Sequence, residues 1–213
     1  IWLNSDHHKS FDSAKLAIDA GYDSIHIDAS EMPYDDNVSV TKQVIEYAKK
    51  DKQNMMIEGE LGYLKGDSKV QDKIEISSED YTKSEEAKSF VEQTGVDRLA
   101  IAFGNIHGIT TDQEMHLDMS VLKSVLDIVP DTYIVLHGGS GLSDAEIQEA
   151  IQNEITNVHV NTELRVAYHD ALEGEMAKDD ESTTPYKFAA PSFEASKEIA
   201  IKKIKLFKAE GRL

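Results

Sequence analysis

The feature that most constrains this chain is an alternation. Short, nearly continuous apolar runs are separated by longer amphipathic stretches from one end of the sequence to the other. That is the pattern of repeated βα units, and strands apolar throughout are those of a parallel sheet covered on both faces. The strands are expected at Ile1 to Ser5, Ser24 to Asp28, Asn54 to Glu58, Arg98 to Phe103, Thr132 to Leu136 and Asn157 to Val160. Helices are expected at Phe11 to Ala20, Val40 to Lys50, Glu85 to Gln93, Ser120 to Ile128, Ala145 to Gln152, Glu163 to Met176 and Phe193 to Lys208. Ser143 with Glu146, and Thr82 with Glu85, have the spacing of capping boxes. Gly21 and Gly95 stand where left-handed helix caps are wanted. The polar stretch Gly66 to Tyr81 is too long for an ordinary βα connection and reads as a mobile active-site loop or an insertion. Ala177 to Thr184 reads as a second exposed loop.

Six βα units suggest two architectures. One is a single-domain TIM (β/α)8 barrel spanning residues 1–213, N-terminally incomplete, with about six of eight units in the chain and two expected upstream of Ile1. The other is an open parallel sheet. With 40% hydrophobic residues, the chain can bury a substantial core. No apolar run reaches the length of a membrane span, and no basic segment leads into an apolar one at the start. Cysteine is absent, which removes disulfides and thiolate ligands. These features lead to an expectation of a cytoplasmic protein. The formal charge of −18 repels nucleic acid and anionic membranes, so neither is an expected partner. An anionic substrate would need a local positive site, either a metal ion or the amides of a helix start.

Chemistry concentrates where strands end. His7, His107 and His137 each follow a strand run, and in parallel α/β folds such ends converge on one face. Three imidazoles brought together suit a catalytic zinc, which keeps a fourth position open. Any one of them alone reads more readily as an unrelated loop residue. Asp6, Asp28, Glu58 and Glu60 fall in the same layer, able to orient metal ligands or move protons. With 40 acidic residues some would fall there by chance, but Ile25, Ile27, Met56 and Ile57 make these acids parts of buried strands. His137 leads into Gly138, Gly139, Ser140 and Gly141 before a helix, a turn able to cradle a phosphate.

The runs SDHH from Ser5, SIHIDAS from Ser24, EGELGYL from Glu58, AFGNIHG from Ala102, LHGGSGL from Leu136 and NTEL from Asn161 resemble the signature segments of the class II, zinc-dependent fructose-bisphosphate and tagatose-bisphosphate aldolases. They follow the family's order over essentially the whole chain, and PYKFAAPSFEAS resembles its C-terminal segment. The resemblance implies zinc ligands at His7, His107 and His137, with Asp28 and Glu60 at an alternative or supporting metal position. It implies that Asp6 is the acid/base for the C4 oxygen. Gly108, Gly138, Ser140, Asn161, Thr162 and His159 would bind substrate, with a monovalent cation nearby.

The implied reaction is cleavage of fructose 1,6-bisphosphate into dihydroxyacetone phosphate and glyceraldehyde 3-phosphate through a zinc-stabilised enediolate, in a homodimer or larger homo-oligomer. No Schiff-base lysine is expected at the strand ends. Three departures from the family stand out, the second of them at two positions. Ser68 stands where the loop usually carries a glutamate, leaving Asp67, Asp72 or Glu75 as substitutes. His159 replaces a substrate-contacting asparagine, and Asn161 stands where some members have aspartate. The C-terminal segment lacks an arginine for the second phosphate, leaving Lys187 as the nearest cation. These departures keep open tagatose 1,6-bisphosphate, another ketose phosphate or an unphosphorylated aldehyde as substrate. A non-catalytic protein that binds metal and sugar phosphate is the further alternative.

Overall fold

Register in the sheet follows directly from side-chain period. In the computed structural model, which describes residues 2–52, 54–178 and 183–211, six parallel strands pair in chain order. They are β1 (Asn4–His8), β2 (Ser24–Ile27), β3 (Met56–Leu61), β5 (Arg98–Ile101), β7 (Tyr133–Leu136) and β8 (Ile155–Val158). Two short strands, β4 (Val70–Gln71) and β6 (Ile109–Thr110), form a separate parallel pair. Sequential order without reversal is that of a barrel wall; a doubly wound sheet would reverse direction partway.

The wall is strongly curled. Laid flat at about 4.8 Å per strand, β1 and β8 would stand about 24 Å apart. Instead Asp6 of β1 reaches His159, the residue just after β8, with 3.2 Å between Asp6 Oδ2 and His159 Nδ1. The fold is therefore a parallel sheet curled into part of a barrel, with β1 and β8 as its edges among the described residues.

One face of every strand meets the helices. Ile25 pairs with Ile57, Gly59 with Leu99, and Leu99 with Ile134. These side chains are fully buried. They pack under α1 (Phe11–Ala20), α2 (Tyr34–Asp51), α3 (Ser84–Thr94), α4 (Met119–Ile128) and α5 (Asp144–Gln152). Gly59 is required for this packing: a Cβ there would lie 2.8 Å from Phe90 Cε1 of α3. The alternate residues, Ser24, His26, Glu58, Glu60 and Ala100, face the inside of the curl. Beyond β8, α6 (Thr162–Met176) packs on α8 (Ala190–Leu206), with the short α7 (Pro185–Phe188) between them in sequence. Among the described residues no helix is long and apolar enough to cross a membrane.

Several expected boundaries move, for local reasons. The first strand begins at Asn4 and contains Asp6 and His7; Ile1 lies outside the described residues. His7 adopts φ 54, a left-handed conformation rare for a side-chain-bearing residue, and the β1–β2 register shifts between Ser5 and His8. The third strand runs on to Leu61, so Glu58 and Glu60 lie within it. The fifth stops at Ile101, because Asn105 takes over the following backbone: its Oδ1 accepts from Phe103 N and its Nδ2 donates to Ile101 O.

Thr82 is not a helix cap. Its hydroxyl donates to Leu61 O and accepts from Ala102 N, stapling the ends of β3 and β5, while Lys83 occupies the cap position without a side-chain bond. Ser143 caps α5 as expected, and Gly21 and Gly95 adopt the left-handed cap. The stretch from Gly66 to Tyr81 holds β4 and a 3-10 turn at Ser78–Asp80 closed by a capping box from Ser77. Part of the expected loop Ala177 to Thr184, residues 179–182, lies outside the described residues.

Candidate active site

At the C-terminal ends of the strands the inward positions become charged. The left-handed turn at His7 brings its ring against those of His107 and His137, with centroids 5.0 and 4.8 Å away; His107 and His137 are 6.1 Å apart. Each ring comes from a different element. His7 sits in the β1 bulge, His137 ends β7, and His107 is carried by the loop after β5. Gly104 (φ +112) and Gly108 (φ +93) shape that loop. Neither tolerates a side chain, since a Cβ at Gly104 would meet His116 O at 2.1 Å and one at Gly108 would meet Asp67 O at 2.3 Å.

Carboxylates back two of the three imidazoles. His7 Nδ1 lies 2.7 Å from Asp28 Oδ2 and 4.0 Å from Glu60 Oε2, and His137 Nε2 lies 2.7 Å from Glu58 Oε1. Asp28, Glu58 and Glu60 are all buried. Burial works against the Glu58 anion, but His26 and His137 beside it outweigh that and bring its pKa down to about 2. Burial also dominates at His137: it takes the pKa down to about 4 and keeps the ring neutral, against the opposing bond from Glu58. His107 is likewise pushed down by burial and by His7. A neutral ring at His137 facing an ionised Glu58 has the protonation states a divalent metal requires.

Asp6 is held at both oxygens. Oδ1 is 3.1 Å from His26 Nδ1, and Oδ2 is 3.2 Å from His159 Nδ1. Burial raises its pKa, but these two imidazoles prevail and keep the carboxyl ionised far below its usual range. His159 also stacks on His137, with centroids 4.1 Å apart.

A cavity beside the trio is lined by Asp6, His7, His107 and His137 together with Gly108, Gly138, Ser140, His159, Asn161 and Thr162. All six residues expected to contact substrate therefore share one wall with the three histidines. Asn161 and Thr162 open α6, whose N-terminal amides face an anion favourably. An adjoining cavity shares His7, His107 and Ser68 and adds Lys9, Asp28, Glu60 and Asp67.

The residues fit a divalent cation. His26 Nε2, Glu58 Oε2 and Glu60 Oε2 are buried without hydrogen-bond partners, although native interiors satisfy nearly all such atoms. Donor atoms of His7, Asp28 and Glu60 lie within 4.8 Å of one another, as do those of Glu58, His137 and His159.

Three residues escaped the sequence reading. His26, fully buried in β2, is one. It was hidden by the apolar run SIHI, although the period-2 pattern puts it on the same face as Asp28. Lys9 is the second, a lysine at a strand end that is ion-paired rather than a Schiff-base former. It directly follows β1, and its Nζ donates to Asp28 Oδ2 at 2.7 Å and Glu31 Oε1 at 3.1 Å. Burial would lower its pKa, but Asp28 and Glu31 raise it, so Lys9 is an ammonium counter-ion and a poor nucleophile. The third is Arg165 on α6, whose Nη1 donates to Ser68 O at 2.9 Å.

Comparison with known proteins gives the family. Residues 1–212 match the model of the class-II fructose-bisphosphate aldolases. A fructose-bisphosphate aldolase of Geobacillus stearothermophilus is 35% identical over 214 residues, covering all of this chain and 71% of the relative. The YdjI aldolase of Escherichia coli K12 is 32% identical with a TM-score of 0.79, over 98% of this chain and 69% of that one. A candidate fructose-1,6-bisphosphate aldolase of Coccidioides immitis superposes at TM-score 0.83 and 25% identity, over 100% and 72% of the two chains. The chain belongs to the class II fructose-bisphosphate aldolase family. It is thus an enzyme of the aldolase class, a carbon–carbon lyase.

Proposed function

We propose that the protein cleaves and forms fructose 1,6-bisphosphate, using a zinc ion held by His7, His107 and His137. The observation that carries this reading is the meeting of three imidazoles from three strand ends, backed by buried carboxylates. A bound zinc would polarise the substrate ketone and stabilise the negative charge that develops on its oxygen, a Lewis-acid contribution of several kcal/mol. Asp28 orients His7, and Glu58 orients His137, by fixing which ring nitrogen faces the cavity. Asp6 accepts the C4 hydroxyl proton during cleavage. His159, hydrogen-bonded to it, takes that proton onward. Gly108, Gly138, Ser140, Asn161 and Thr162 receive the dihydroxyacetone phosphate end at the start of α6, with a monovalent cation against the phosphate. Asp67, lining the adjoining cavity beside Ser68, serves the C3 proton in the loop 66–81, which we take to be mobile in turnover. The working protein is a cytoplasmic homodimer or larger homo-oligomer.

A second reading changes only the substrate, to tagatose 1,6-bisphosphate, another ketose phosphate or an unphosphorylated aldehyde. Two observations favour it: His159 intrudes between Asp6 and His137, and Ser68 brings no carboxylate to the cavity. One experiment tests both readings: zinc content measured together with exchange of the C3 proton of dihydroxyacetone phosphate into heavy water. Zinc with exchange is the expected result, and assays with paired ketose bisphosphates then separate the substrates. Zinc without exchange would leave a binding protein, and neither zinc nor exchange would defeat the reading.

A further inference from the structure

Helix α8 lines neither cavity of the site, yet one of its side chains is tied to the wall of the cavity beside the three histidines. Among the described residues Lys203 is the one lysine or arginine that is buried, and lysines are seldom buried unless paired. Its partner is Glu163 in the first turn of α6, where Lys203 Nζ donates to Glu163 Oε1 at 2.8 Å. The same Oε1 accepts from the backbone N of Gly141 at 3.2 Å, and Glu163 N donates to Ser140 Oγ at 3.2 Å. Two turns earlier on α8, Ser196 Oγ donates to Leu164 O at 3.1 Å, so the two helices are fastened twice. A buried ammonium thus acts, through one carboxylate, on the glycine turn 138–141, of which Gly138 and Ser140 line the cavity.

Each link has a consequence for an anion in that cavity. Gly138 and Gly141 both adopt positive φ, +68 and +84, and a turn built on such glycines holds its shape only when something outside it does the holding. Ser140 Oγ, having accepted from Glu163 N, keeps its own proton to donate, and the oxygens of an ionised phosphate are acceptors. Glu163 also brings a negative charge to the helix start that would receive the phosphate. Unpaired, that charge repels the phosphate. Paired with Lys203, it keeps its hold on Gly141 while its field is largely cancelled.

We propose, on the reading that puts the substrate phosphate at the start of α6, that Lys203 and Glu163 are positioning residues for it. The pair holds the turn 138–141 in its receiving shape and cancels a charge that would turn a phosphate monoester away. Lys203 acts on the phosphate only through Glu163.

The probe is inorganic phosphate, its Kd measured by calorimetry on the intact protein, together with KM and kcat for the ketose bisphosphate it cleaves. Lys203→Met should weaken phosphate binding and raise KM by about tenfold, the scale of one hydrogen bond to a charged group, with kcat unchanged. Lys203→Arg should keep the parental Kd and KM. Lys203→Met combined with Glu163→Gln should return to them, because the glutamine still accepts from Gly141 N and no bare charge remains. Lost stability with parental Kd and KM overturns the proposal, and so does a fall in kcat at constant KM. Should Lys203→Met not fold, two double variants without a bare charge decide. Lys203→Met with Glu163→Gln should bind phosphate as the parent does, and Lys203→Met with Glu163→Ala about tenfold more weakly. Equal affinities of these two overturn the clamp and leave the proposed function standing. A parent protein that binds no phosphate would defeat the phosphate end of the proposed function, and the clamp with it.

Discussion

The two faces of the curled sheet are built from the same strands and obey opposite rules. On the helix-facing side Ile25, Ile57, Leu99 and Ile134 are fully buried in an apolar layer. One residue along each strand, the inward side carries His26, Glu58, Glu60 and His137, equally buried, with three of their polar atoms unpartnered. Period-2 alternation is what lets one short strand do both. The lesson is that the packed face supplies the free energy that holds the other face in an arrangement unfavourable by itself.

This contrast can be broken at several points. The largest effect is expected from His137→Ala, since His137 belongs to the proposed three-histidine set and to two of the donor groups whose ligand atoms cluster within 4.8 Å. Divalent metal should be lost on dialysis and turnover should fall more than about 100-fold, beyond the range seen for residues that merely support ligands. Metal analysis with near-normal zinc would show that the inward face is not a ligand shell.

Asp6→Asn comes next. Turnover should drop by about 10²- to 10⁴-fold, the scale of a lost general acid/base. The fold and bound metal should persist; loss of metal would make Asp6 a structural support.

Leu99→Ala on the opposite face should do the reverse. It should destabilise by about 2–5 kcal/mol in denaturant titration, leaving turnover per folded molecule intact. A large loss of kcat at unchanged stability would mean that the two faces are not separable.

Acid should act through the inward face. His137 is depressed from an unfolded value of 6.5 to about 4, so between those values the unfolded chain binds a proton that the native chain refuses. Stability therefore falls as pH drops through that window, by about 2 kcal/mol from pH 7 to pH 5 in metal-free protein. Glu58, lowered from 4.5 to about 2, contributes stability above pH 4.5 that disappears towards pH 2. His137→Gln should abolish the upper part of this slope.

The smallest effect is expected at Leu16, a helix residue 71% exposed. Leu16→Gln should change stability by less than about 0.5 kcal/mol.

The helix-facing layer was largely legible in the sequence. Its apolar runs gave all six strands of the sheet to within a few residues, and amphipathic period gave every helix except α7, whose four residues are too few to show one. The strand-end histidines were legible because glycine or an acid marks each. What stayed hidden depends on geometry rather than on pattern. The bulge at His7 takes a conformation the sequence does not favour, so β1 runs on to His8, past its expected end at Ser5, and brings Lys9 to the rim. Thr82 reads as a cap by spacing, but tertiary contacts with Leu61 and Ala102 claim its hydroxyl. The strands β4 and β6, two residues each, are created by pairing across 39 positions of sequence and carry no local signal.

That last pairing has a mechanical meaning. Lys65 O accepts from His107 N at 2.9 Å, Lys69 O accepts from Ile109 N at 3.0 Å, and Gln71 Nε2 donates to His107 O at 2.5 Å. The strip that carries Ser68 and Asp67 is thus laced along the backbone of the loop that presents His107. On the function proposed above, a displacement of the strip would carry that imidazole with it, so traffic over the mouth of the cavity and the grip on an ion would be two ends of a single lever.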